Sequence, residues 1–308
     1  MGFSAKDVKA LREKTSVGMM DCKKALIEAD GDMEKAVDIL REKGLAAATK
    51  KASRVAAEGA VTAYYDEEKK IGVIVEVNSE TDFVAKNEEF QAFVSDVAKT
   101  IALEKPEDND SLMSKKLVGS DRTVEENLHD KILSIGENIK IRRFLVVEGV
   151  LSTYVHGGGT VGVIVNFEAD DSISSNDKFK EMGKNVAMQI AAMSPQYLER
   201  TDVPEETVAH EKEILLAQLQ EDEKMKNKPE KVIENIINGR ISKYFKEICL
   251  TDQEYVKDGD LTVGKYVESI AKEIGSPIKI SSFIRYAKGE GLQKRDDNFA
   301  DEVANMVK

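Results

Sequence analysis

EGAVTAYYDEEKKIGVIVEV, residues 58–77, returns ninety positions later as EGVLSTYVHGGGTVGVIVNF, residues 148–167. The Glu-Gly start, Tyr64 and Tyr154, and the Gly-Val-Ile-Val runs at 72–75 and 162–165 all coincide at that offset. Each copy has two apolar stretches around a polar or glycine-rich turn, the pattern of a β-hairpin. An internal repeat of this kind means one supersecondary unit used twice. After each hairpin the spacing changes to that of an amphipathic helix. Phe90, Val94, Val97, Ala98 and Ile101 mark the first helix; Phe179, Val186, Ala187, Ile190 and Ala191 mark the second. Each unit closes on a matched strand, IGENIKIRRF at 135–144 and IGSPIKISSF at 274–283. The expected fold class is α+β, with duplicated core subdomains built on antiparallel sheets.

Outside the repeat the chain divides readily. Residues 1–56 predict a three-helix module and a linking helix. Ser4 caps a first helix that carries Val8 and Leu11, and a break at 15–18 precedes a second carrying Met20, Cys22, Ala25, Leu26 and Ala29. Gly31 stops that helix; Asp32 caps a third with Ala36, Val37 and Leu40, which ends at Gly44. So small a core suits binding a peptide or a helix better than catalysis. The first repeat unit spans 57–147. The second spans 148–199 and 250–290, interrupted by a charged insertion at 200–249 that Lys228-Pro229 divides into two arms of a coiled-coil-like helical hairpin. Residues 291–308 read as a polar linker and a C-terminal docking helix with Phe299, Val303 and Met306.

The chain has 308 residues and a net charge of -12, which disfavours phosphate backbones and anionic lipid, so neither nucleic acid nor membrane is an expected partner. A protein that itself binds nucleotide remains open. Cys22 and Cys249 stand alone, with no CxxC and no Cys/His cluster, which fits a reducing cytoplasm and predicts no metal site. The first residues lack the apolar core of a signal peptide, and no apolar run reaches membrane-spanning length. GDLTVGKY at 259–266 nearly matches a P-loop, but Tyr266 stands where a Ser or Thr hydroxyl would meet magnesium, and a polar stretch precedes it. HGGG at 156–159 looks like an esterase oxyanion loop, yet no GxSxG nucleophile exists; the glycines suit a hairpin turn and leave His156 exposed. His129 and His210 read as surface residues. No pair of carboxylates forms a defensible acid and base. No catalytic residue and no cofactor are expected.

SETDFVAKNEEF, residues 79–90, is the stretch with an unusual burden. Asn87 caps the following helix, with Glu88 and Glu89 in its first turn. Thr81, Asp82 and Phe83 then fall in the preceding loop, where a ring beside a carboxylate is unexpected. The matching loop of the second unit, ADDSISSND at 169–177, has no aromatic residue. A ring that served the shared fold would have a counterpart there, so Phe83 is expected to point outward.

TDFVAKN at 81–87, with LREKTSVGMMDCKKALIEADGDMEKAVDILREKG at 11–44, closely resembles the elongation factor Ts family, the guanine nucleotide exchange factors of the GTPase elongation factor Tu. The likeness covers essentially the whole chain. It departs at Ser16, where glycine is common, and at Ser194, where lysine commonly precedes the proline. The resemblance implies a UBA-like N-terminal module and a bacterial cytoplasmic factor that binds elongation factor Tu carrying GDP. It implies that the factor disturbs the magnesium and phosphate site so that GDP leaves and GTP rebinds, without bond chemistry. Thr81, Asp82, Phe83 and Val84 match the family's intruding segment: Phe83 would wedge between two helices of the GTPase domain and Asp82 would disturb the network around the ion. Arg12, Met19 and Met20 match its N-terminal contact, although one of the two methionines is expected in the core. His156 matches another partner contact, and Val303 and Met306 lie on the docking helix. A homodimer through the insertion or the core, giving a 2:2 complex, is compatible with the family, whose insertion varies in length. Two other readings stay open on the residues themselves. One is an adaptor whose module binds ubiquitin-like or helical ligands, which would need Met19 and Met20 but not Phe83. The other is an enzyme using the HGGG loop.

Overall fold

The computed structural model describes residues 2–15, 17–221 and 228–293. Helices α1 (Ala5–Thr15), α2 (Met19–Glu28) and α3 (Met33–Lys51) come first. The Asp7 carboxylate accepts from the backbone N–H and hydroxyl of Ser4 at 2.7 and 2.8 Å, tying off the start of α1. Asp32 caps α3 by accepting from the amides of Glu34 and Lys35. Leu11, Cys22, Leu26, Ala36 and Leu40 form the buried centre of this bundle.

The first repeat unit contains β1 (Glu58–Asp66), β2 (Ile71–Ser79), α4 (Asp82–Ala85), α5 (Glu88–Glu104), α6 (Asn109–Met113), α7 (Val124–Ile135) and β3 (Lys140–Glu148). Its antiparallel sheet has the order β1-β2-β3. The second contains β4 (Val150–His156), β5 (Val161–Ala169) and α8 (Asp177–Met193), then α9 (Glu205–Glu221) and α10 (Glu230–Ile248) side by side in the insertion. It resumes with β6 (Glu254–Tyr255), β7 (Asp258–Thr262), α11 (Val263–Ile274) and β8 (Ile278–Ala287). Its main sheet has the order β4-β5-β8, again antiparallel.

The duplication extends to detail. Asn87 and Asn176 cap α5 and α8 in the same way, and Lys105 and Ser194 end them in the left-handed conformation. Both central strands meet their third strand across a bulge at corresponding places, Glu76/Val77 and Asn166/Phe167. The two sheets share one apolar layer built from Val61, Ile74, Leu151 and Ile164. The repeated glycines make this close contact feasible: a Cβ on Gly72 would collide with Leu151, and one on Gly162 would stand 2.6 Å from Val61 Cγ1.

The reading of the third helix needs correction here. The spacing predicts a helix end at Gly44 and a separate linking helix, but α3 runs unbroken to Lys51. Gly44 is buried where α3 crosses α7, and a Cβ there would stand 3.4 Å from the backbone of His129. The glycine serves close helix approach rather than a stop. The Arg41–Glu126 ion pair and the Lys51 Nζ bond to the carbonyl of Ile132 (3.1 Å) complete this attachment of the module to the first unit. The near P-loop also resolves. Tyr266 stacks on Tyr255 at 4.2 Å and its hydroxyl accepts from Asn185, so it packs the second unit.

Candidate functional site

β2 leads directly into two helices laid end to end. The Thr81 hydroxyl accepts from the amide of Val84 and caps α4, a single turn; Asn87 then caps α5 by accepting from the amides of Glu89 and Phe90. Spacing places residues 81–83 in a loop, whereas the structure folds 82–85 as helix because both ends find a cap. Successive helical residues point about 100° apart, so burying one exposes its neighbour. Val84 is 9% exposed and lies in the core of the first unit, while Phe83 is 81% exposed. Val84 therefore anchors the turn, in contrast to its expected place among outward contacts. Counting back from the two capping asparagines, the second unit has Ile173, 7% exposed, in place of Val84 and Ser172 in place of Phe83. The anchor is common to both units, and the ring is particular to one.

Asp82 is half exposed and accepts a hydrogen bond from Lys86 Nζ at 2.7 Å. That bond, reinforced by the lysine's charge against a slight desolvation, holds the carboxyl below the usual aspartate range. Beneath the turn lies a residue the spacing does not single out. Glu137 Oε2 accepts from the amides of Glu80 and Thr81, both at 3.0 Å, and its Oε1 accepts from the Thr81 hydroxyl at 2.6 Å. Glu80 answers by accepting from the amide of Asn138 at 2.6 Å. The repeat carries a signal for this: IGEN in the first unit aligns with IGSP in the second, so Glu137 has Ser276 as its counterpart.

The ring borders a shallow groove of ≈ 420 Å³ lined by Phe83, Val84, Asn87, Glu89, Ser134 and Ile135. Glu89 also lines a larger cleft of ≈ 870 Å³ between α1 and the first unit, where Arg12 is exposed. On the other side, the Gln91 amide donates to the carbonyls of Ala85 and Gly158, joining α4 to the 156–159 turn. Gly157, Gly158 and Gly159 all have positive φ, and a Cβ on Gly159 would stand 2.7 Å from that of Ala60. His156 is exposed at the start of that turn, with Nδ1 3.0 Å from the Tyr154 hydroxyl. Asp82 and Phe83 thus stand just before α5, Arg12 lines a cleft that also reaches Glu89, and the turn that begins at His156 is held against Gln91. Met19 and Met20 stand on the first turn of α2, and both are exposed. The core place expected for one of them goes instead to Cys22, Ala25 and Leu26. Val303 and Met306, with the docking helix expected around them, lie outside the described residues.

Among the described residues, no three His, Cys, Asp or Glu side chains form a group able to hold a metal ion. No described helix is long and apolar enough to cross a membrane. The arrangement has the features of a rigid protrusion, an apolar ring with a paired carboxylate beside it on a capped and anchored turn.

A family model described as elongation factor TS matches residues 80–290. Elongation factor Ts of Clostridium perfringens (strain SM101 / Type A) is 50% identical over 307 residues, 99% of each chain. That of Syntrophotalea carbinolica is 51% identical over 311 residues, 100% of both chains. That of Clostridium kluyveri (strain ATCC 8527) is 48% identical over 309 residues, 99% of each chain.

Proposed function

The chain belongs to the elongation factor Ts family, and from that premise we propose that it is a cytoplasmic guanine nucleotide exchange factor that binds elongation factor Tu and drives GDP from it. The observation that carries this reading is Phe83, a ring 81% exposed on a turn whose other apolar residues, Val84 and Ala85, are buried. Phe83 enters the GTPase between two helices near its magnesium site. Asp82, ionised at neutral pH, arrives with it and competes for the polar groups that order the ion and the phosphates, which stabilise each other in GTPases of this type. Arg12, Met19 and Met20 grip a second surface from the module at 1–56, and His156 a third from the second unit.

Release then follows from linkage. A factor that binds the nucleotide-free GTPase more tightly than the loaded one must weaken GDP by the same ratio. No bond is made or broken. GTP refills the empty site and displaces the factor. The test is release of a fluorescent GDP analogue from elongation factor Tu, chased with excess GDP, at substoichiometric amounts of this protein. A large acceleration is expected. No acceleration from folded protein with a matched partner would overturn the proposal.

A further inference from the structure

Resting on that reading of Phe83, we propose that Glu137 is the positioning residue that holds the wedge in its working attitude. A single helical turn has no stability of its own, because nucleation fixes several residues for very few hydrogen bonds. α4 is such a turn, yet it must keep its ring outward while pressed between two helices of a partner. Val84 and Ala85 fix the turn from below. Its leading end is fixed by Glu137, whose carboxylate gathers the amides of Glu80 and Thr81 and the Thr81 hydroxyl within 3.0 Å.

Glu137 is itself fixed. Gly136, in the left-handed conformation, ends α7 and turns the chain sharply. Asn138 next to it is buried, donates its amide to Glu80 and its side chain to the carbonyl of Arg54. The two strands of chain therefore clasp each other, 80–81 against 137–138. The second unit offers an internal control. Ser172 stands in place of Phe83 and Ser276 in place of Glu137, so the unit without a ring to hold also lacks the carboxylate. The ring and its clamp change together, which a purely structural acid would not require. Glu137 itself touches neither the partner nor its nucleotide in this scheme; it acts through Thr81 and Phe83.

The test is a double-mutant cycle on nucleotide release from elongation factor Tu, using the full chain. Glu137→Ala should lower kcat/KM for exchange about tenfold, the equivalent of losing one or two hydrogen bonds. Amide hydrogen exchange at Glu80 and Thr81 should accelerate while the sheet amides stay protected. Glu137→Gln should stay within about twofold of the parent, since its amide oxygen still accepts both N–H groups and its NH₂ faces the Thr81 hydroxyl. In a Phe83→Ala background, Glu137→Ala should add nothing. If Glu137→Ala does not fold, Glu137→Asp takes its place; it keeps the charge but withdraws the carboxylate by one methylene, and should lose at least about threefold. A defective Phe83→Ala combined with a neutral, or an additive, Glu137 variant would overturn the clamp alone. A Glu137→Gln as poor as Glu137→Ala would also overturn it, because charge rather than placement would then be at work. A neutral Phe83→Ala would instead remove the exchange reading, and the clamp with it.

Discussion

Phe83 and Val84 are adjacent and both apolar, and they sit on different faces of one helical turn, one exposed and one buried. Leaving a phenylalanine ring in water forgoes about 2 kcal/mol that burial would supply. The corresponding segment of the second unit, a 3-10 turn at Asp171–Ile173, has Ser172 at this position and still buries Ile173, so the anchor does not depend on a ring. Phe83→Ala is therefore expected to change stability by no more than about 0.5 kcal/mol, as an exposed substitution does. Its exchange activity should fall at least about tenfold, the loss expected when a buried aromatic anchor is removed from an interface. Val84→Ala should behave in the opposite way, destabilising by about 2 kcal/mol through a core cavity. Thermal melts and GDP-analogue release on the same two proteins separate the cases. Asp82 leads to a pH prediction. The hydrogen bond from Lys86 depresses its pKa in the folded chain, so the carboxylate is fully formed above the ordinary aspartate range, near about 3.9, and is lost only as pH falls below it. The ratio of exchange rates between the parent and Asp82→Asn should then be flat from about pH 6 to 8. A ratio that swings severalfold across that range would mean that Asp82 does not act as a standing charge.

Elements were legible where their cause is local and opaque where it is distant. The hairpins, α5 and α8 follow from alternation, from helical spacing and from capping asparagines a few residues away, and the repeat tests each of them twice. α3 misled because a glycine after a run of helical spacing looks like a stop; its reason, the crossing with α7 at His129, is 85 residues away in sequence. α4 is hidden in the spacing because it is a single turn whose leading end is closed by Thr81, with Asn87 capping only the helix after it. The exposed ring of the candidate site was visible through the repeat, but its clamp joins residues 56 and 57 positions apart. The sheet-to-sheet layer is another long-range device, foreshadowed only by glycines within two apolar runs. It predicts that Gly162→Ala is destabilising by about 2 kcal/mol, since its new Cβ would press on the buried, stiff side chain of Val61. Adding Val61→Ala to the same chain should recover part of that loss. Denaturant midpoints of the two single variants and the double variant measure the coupling; strict additivity would show that the sheets accommodate the methyl elsewhere.

Among the described residues, the two repeat units are tied together through a buried charge as well as through their shared apolar layer. Glu76 is fully buried within β2. The bulge beside it skips Arg142 in the pairing, which lets Arg142 and Arg143, consecutive in a strand, turn toward the same carboxylate at 3.0 and 2.7 Å. Asn78 and the amide of Gly289 complete its hydrogen bonds. The same arginines reach across to the end of β8: Arg142 donates to the carbonyl of Glu290 at 2.7 Å, and the Arg143 guanidinium lies 4.0 Å over the Tyr286 ring. The second unit has the bulge with Asn166 and Ser281, so the geometry belongs to the duplicated fold and the charge to the joint between units. That joint fixes the unit bearing His156 against the one bearing Phe83. Burial by itself pushes the Glu76 carboxyl up, but the donors from Asn78, Gly289 and Arg143 outweigh it and hold it below the usual range. A depressed pKa in the folded state contributes stability above the unfolded value, near about 4.3, and that contribution fades as pH falls through the lower folded value. Glu76→Gln removes the carboxylate that Arg142 and Arg143 share and leaves Arg143 only that of Glu290, 3.3 Å away; it should therefore destabilise by about 3 kcal/mol at neutral pH. The difference from the parent should shrink on acidification below about pH 4, where the parent's carboxylate is itself being neutralised. Urea unfolding of both proteins at pH 7 and at pH 3.5 measures it. A deficit that stays the same at both pH values would show that the bond pattern, not the charge, holds the two units together.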